Sequence, residues 1–140
     1  KGKVKIMMTL KVGEKEFKIT FGYEATLKSR LLSRMAKMSV DMGENGGDLE
    51  KVEDMLLFIP EVILVGLQKE HEEYRYNLDT KEDYEEKRNM AFSLVSEYLD
   101  NGENDAIELF NELQEEMTKN GFLKKMFEKE VEKSQTNSDK

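Results

Sequence analysis

His71 is the only histidine, and it stands beside Glu70, Glu72 and Glu73, so imidazole and carboxylates adjoin here. Such a ring can act as a general base or as one metal ligand, but both roles need partners that orient it. A solvated surface histidine is the expected reading. Two carboxylate clusters, Glu82-Asp83-Glu85-Glu86 and Glu112-Glu115-Glu116, offer oxygen ligands for Mg²⁺ or Ca²⁺, yet neither follows the spacing of a calcium loop. Exposed helix faces account for them better. Gly43, Gly46 and Gly47 are not followed by the Lys-Ser or Lys-Thr of a phosphate loop, and they do not join a strand to a helix in a dinucleotide pattern. Cysteine is absent, which removes disulfides, thiolate metal sites and thiol nucleophiles together. No catalytic residue, metal or cofactor is therefore expected, and the chain is not expected to be an enzyme.

The 140 residues are 37% charged and 38% hydrophobic, with a formal net charge of −8, which suits one folded domain with a genuine core. The charge is uneven. Residues 1–37 carry +7 and the remainder −15. The bland reading is a pair of solvated faces; the functional one is an acidic part that attracts a basic partner, or copies of the chain meeting head to tail. An acidic chain with no nucleic-acid motif is not expected to bind DNA or RNA, despite the lysines near its start. The early lysines interrupt the uninterrupted apolar stretch a signal peptide needs, so secretion is not expected.

Period-two alternation of Val4, Ile6, Met8, Leu10 and Val12, then a turn at Gly13-Glu14-Lys15, then Phe17, Ile19 and Phe21, predicts a β-hairpin over residues 1–22. A hairpin alone is marginal, so its apolar face must meet helices or another copy. Thr26 is placed to cap a basic helix with Leu27, Leu31, Met35 and Met38 on one side, ending in the glycine-rich loop from Asp41 to Gly47. Asp48 caps the next helix. Asp79 with Glu82 has the form of a capping box for a helix striped by Tyr84, Ala91, Leu94, Val95 and Tyr98. Asn101-Gly102 interrupts, and Ala106, Ile107, Phe110, Leu113 and Met117 mark a further helix. Asn120-Gly121 then signals its end, with Phe122 folding back on Met117. A last short helix carries Phe122 to Val131, and 134–140 form a polar tail expected to be disordered. The fold class is α+β, mainly α: a hairpin followed by four or five helices over residues 26–133, in one domain spanning 1–133.

The most apolar stretch is Met55 to Leu67, 13 residues interrupted only by Pro60, Glu61 and Gly66. It is short of the roughly 20 residues needed to cross a bilayer, so no membrane partner is expected. Pro60 cannot donate to the helix ladder and predicts a break near Ile59, with Pro60 opening a second segment. A continuous apolar run is either a helix buried on all sides or a surface for other chains. Nine methionines favour adaptable contacts, although core filling is their simpler use. Met55, Phe58, Ile59, Ile63 and Leu67 are the expected protein-contact residues.

The strings Lys18-Ile19-Thr20-Phe21-Gly22-Tyr23, Leu56-Leu57-Phe58-Ile59-Pro60-Glu61, Val65-Gly66-Leu67-Gln68-Lys69, Leu113-Gln114-Glu115-Glu116-Met117 and Asn120-Gly121-Phe122-Leu123, in this order, resemble the tail assembly chaperones of long-tailed bacteriophages of Gram-positive bacteria. The likeness covers nearly the whole chain and is one of pattern, since none of these strings is catalytic. It implies a non-virion chaperone in the host cytoplasm: copies self-associate along the helical, apolar tape measure protein, keep it soluble, and leave as the tail tube protein polymerises around it. It also implies a longer frameshifted form. The rival readings are a structural tail protein retained in the virion and an acidic mimic of nucleic acid that inhibits a host enzyme.

Overall fold

The computed structural model describes residues 8–45, 48–77 and 79–126. Two strands, β1 (Met8–Val12) and β2 (Lys15–Ile19), precede five α-helices: α1 (Tyr23–Lys28), α2 (Leu31–Asn45), α3 (Leu49–Leu67), α4 (Lys81–Asp100) and α5 (Ala106–Lys119). The class is α+β, mainly α, as the periodicities predict.

The strands pair antiparallel from Met8↔Ile19 to Val12↔Lys15, so only Gly13 and Glu14 form the turn. Gly13 has φ 63°, the left-handed conformation that a first central position of a type II′ turn demands and that glycine adopts freely. The alternation buries Leu10, Val12, Phe17 and Ile19 on one face and leaves Thr9, Lys11, Glu16 and Lys18 outside. Val4 and Ile6 of the expected strand lie outside the described residues.

Thr26 does not cap a helix. The chain turns helical earlier, at Tyr23, and Thr26 is fully buried inside α1, its hydroxyl without a partner among the described residues. The expected basic helix is instead two, broken where Arg30 takes φ 55°. Leu31 and Met35 consequently face the core while Leu27 stays exposed. The second helix continues to Asn45, past the expected start of the loop at Asp41, because a single Gly43 costs a helix only about 1 kcal/mol.

Asp48 caps α3 as expected, its carboxylate accepting the Glu50 N–H at 2.9 Å. The expected break at Pro60 does not occur; α3 is one helix with Pro60 inside it. A proline there costs about 3 kcal/mol by removing the bond to the Leu56 carbonyl and crowding the preceding turn. Burial of Ile59, Val62, Ile63 and Leu64, at about 1.5–3 kcal/mol each, outweighs that loss. From Val62 to Leu67 every residue is buried, since β2, α2, α4 and α5 all pack around this helix.

The last four carbonyls of a helix have no partner within it. Here each finds one: Leu64 accepts from the Gln68 side chain, Val65 from Gln68 N–H, Gly66 from Thr20 N–H at 2.9 Å, and Leu67 from His71 N–H. The hairpin is thereby bonded to the end of the central helix.

The Asp79–Glu82 capping box does not form. Asp83 reaches back instead, accepting the Asn77 N–H at 2.7 Å, and this backbone donor holds its carboxyl below the usual range. In α4, Ala91, Leu94 and Val95 are buried with Tyr84 and Tyr98 packed beside them. Asp105 caps α5, where Leu109 takes the core place expected of Ile107, which is half exposed. Gly121 follows at φ 80°, but Phe122 packs edge-on to Tyr23, ring centroids 5.2 Å apart, and Leu123 is the residue that enters the core. Residues 127–133 of the expected last helix, and the tail, lie outside the described residues.

Candidate functional site

The five expected contact residues all sit in the core: Met55, Phe58, Ile59, Ile63 and Leu67 are exposed by 5% or less. The physical reason is the position of the second half of α3, where β2, α2, α4 and α5 pack around the helix and every residue from Phe58 to Leu67 except Glu61 is buried. The exposed apolar side chains on the same helix are different ones. Leu49 is 82% exposed, Leu57 45% and Leu56 39%. Seven residues, two helical turns, separate Leu49 from Leu56, which places them on one side of the helix. Exposed leucines are the signal to look for, and a run that is apolar everywhere hides which of its members are outside.

Leu57 belongs to a groove of about 480 Å³ between α2 and α3. Met38, Leu57 and Phe58 supply its apolar lining, and Lys37, Lys51 and Asp54 supply charge. Glu61 also lines it. Its two carboxylate oxygens meet Arg34 of α2 and Arg88 of α4, the latter at 3.4 Å, so the only charged group of the apolar run ties three helices together. The Arg34 guanidinium also lies 4.9 Å over the Phe58 ring. The groove can bind an amphipathic segment, with leucine-sized side chains on its lining and charges at its rim. It holds no nucleophile with a base.

Burial raises the Tyr76 and Tyr84 hydroxyls above their usual value of 10.0, with the rings 5.0 Å apart. Glu61 adds to the shift of both, and Arg34 opposes it. Because the folded state then holds these protons more tightly than the unfolded chain, stability is intact below pH about 10 and falls as pH rises toward the folded values. A Tyr76→Phe/Tyr84→Phe chain should lose less stability between pH 9 and 11 than the parent, measured by urea unfolding.

His71 is not a solvated surface residue. Its side chain is only 17% exposed, Nε2 accepts the Lys18 backbone N–H at 2.9 Å, and its ring lies 5.4 Å from that of Phe17. Together with the Thr20 bond to Gly66, it covers the outer edge of β2. No spacing in the sequence announces a histidine 53 residues away as a strand's partner.

The carboxylate clusters lie on helix faces, where Asp83 pairs with Lys87, Glu115 with Lys119, and Glu116 accepts from Asn120. Among the described residues no group of three acidic, histidine or cysteine side chains is arranged to hold a metal ion, and no helix is long and apolar enough to cross a membrane. Compared with protein-family models, curated proteins and solved structures, the chain matches none.

Proposed function

We propose that this chain is a non-enzymatic tail assembly chaperone of a long-tailed phage. It binds the tape measure protein, keeps it soluble in the host cytoplasm, helps recruit tail tube protein, and is absent from the finished virion. The observation that carries the binding role is the exposure of Leu49, Leu56 and Leu57 on a helix whose Met55 and whose apolar residues from Phe58 to Leu67 form the core. A helical client exposes apolar stripes before the tube encloses it, and such a stripe is complementary to leucines beside a charged groove. The choice of client rests on the resemblance of the sequence strings, not on the groove.

Net charge of −8 keeps a client-laden complex soluble by repulsion. Self-association along the client accompanies this role. Co-expression of the chain with the tape measure protein of its phage should move the client from the pellet to the supernatant, in a complex that survives gel filtration. An insoluble client at full expression of this chain sinks the proposal. Mass spectrometry of purified virions should find no copy; a stoichiometric amount would make the chain a structural tail component.

A further inference from the structure

A second groove, of about 470 Å³, lies at the other end of α3, between α1 and the segment that follows the helix. The two grooves share no lining residue. Three cations line this one, Lys28, Lys69 and Arg75, against one carboxylate, Glu24. Lys28 and Glu24 neutralise each other at 2.8 Å. Lys69 and Arg75 have no carboxylate within ion-pair distance among the described residues, although Glu70, Glu72 and Glu73 stand between them in sequence, so both cations are open to a direct ion pair.

Arg75 is held in place by backbone carbonyls. Its Nε donates to the Gln68 carbonyl at 2.7 Å and one Nη donates to the Lys69 carbonyl at 2.9 Å. The other Nη has no bond among the described residues, so the guanidinium is fixed by neutral acceptors with donors to spare. A planar, immobilised guanidinium loses little freedom on meeting a carboxylate. Around it stand Tyr23, 66% exposed and braced by Phe122, and Tyr76. Tyrosine and arginine are the residue types that concentrate binding energy at protein interfaces.

We propose that this groove binds an acidic peptide segment of a partner protein, seating an Asp or Glu carboxylate on Arg75 and Lys69 and a neighbouring apolar side chain against Tyr23 and Tyr76. A nucleic acid is the poorer fit, since each further phosphate meets a chain of net charge −8, whereas one or two carboxylates are compensated locally. The inference is independent of the chaperone reading.

Selection of a random dodecapeptide display library on the immobilised full chain tests it. The enriched pool should be rich in Asp and Glu, and individual winners should bind Lys69→Glu about tenfold more weakly. Lys69 is exposed and gives only its backbone carbonyl to the fold, so this variant folds, whereas Arg75→Gln also removes the clasp. Leu49→Asp should leave the winners' affinity unchanged. A neutral or basic pool, no enrichment, undiminished binding to Lys69→Glu, or displacement of winners by a single-stranded oligonucleotide at lower concentration than by free peptide overturns the proposal.

Discussion

Gly66→Ala should destabilise the chain by about 1–3 kcal/mol, although alanine is the better helix former by about 1 kcal/mol. A Cβ at position 66 would stand 2.5 Å from the Ile19 Cγ2 and 3.3 Å from two atoms of the Phe21 ring. Ile19 is fully buried and Phe21 nearly so, which leaves neither side chain a direction in which to give way. The alternative is to push β2 off the helix, which lengthens the bond from Thr20 N–H to the Gly66 carbonyl. Either response spends contact energy that the propensity gain does not recover. Gly66→Val enlarges the clash and should cost more than about 3 kcal/mol. Gly22→Ala is the control: nothing lies within 4 Å of its added methyl and φ is −78°, so its effect should stay within about 0.5 kcal/mol. Urea midpoints of the four chains check the order; an unchanged Gly66→Ala would mean that the hairpin is not seated on α3 as described.

Gly66 also marks where sequence reading stops. Period-two and 3.6-residue patterns reveal which residues are apolar on which side of their own element, and they place the hairpin, the core of α4 and the Asp48 cap correctly. Those features are local. Pro60 in an unbroken helix is not, because its tolerance depends on four neighbouring elements that bury the helix around it. Thr26 looks like a cap until Gly22 and Tyr23 start the helix sooner. His71 looks solvated because its partner, Lys18, is distant in sequence and contributes a backbone N–H that carries no sequence signature. The expected contact residues lie in the core for the same reason. Thirteen consecutive residues containing ten apolar ones have no periodicity to tell inside from outside, so Ile63 and Leu57 read alike although one is fully buried and the other is not.

That difference sets up the largest expected contrast. Ile63→Asp should abolish folding, and, on the chaperone proposal, Leu49→Asp/Leu56→Asp should abolish client binding in a folded chain. Ile63 has no exposed surface, and truncating such an isoleucine costs about 2–5 kcal/mol before any charge is introduced. A carboxylate among Ile59, Val62 and Leu67 adds the penalty of burying an ion or of keeping it protonated. The sum approaches the whole stability of a typical domain, about 5–15 kcal/mol. Ile63→Ala gives the milder, measurable arm of the same test. Leu49, in contrast, is the first residue of α3, mostly in solvent, where an aspartate is favoured by the helix dipole. Leu56 is less exposed, and its replacement should cost about 1 kcal/mol. Circular dichroism and co-expression with the tape measure protein separate the outcomes. A folded Ile63→Asp chain would return the contact role to the buried run, and a Leu49→Asp/Leu56→Asp chain that still solubilises the client would move the binding surface off α3.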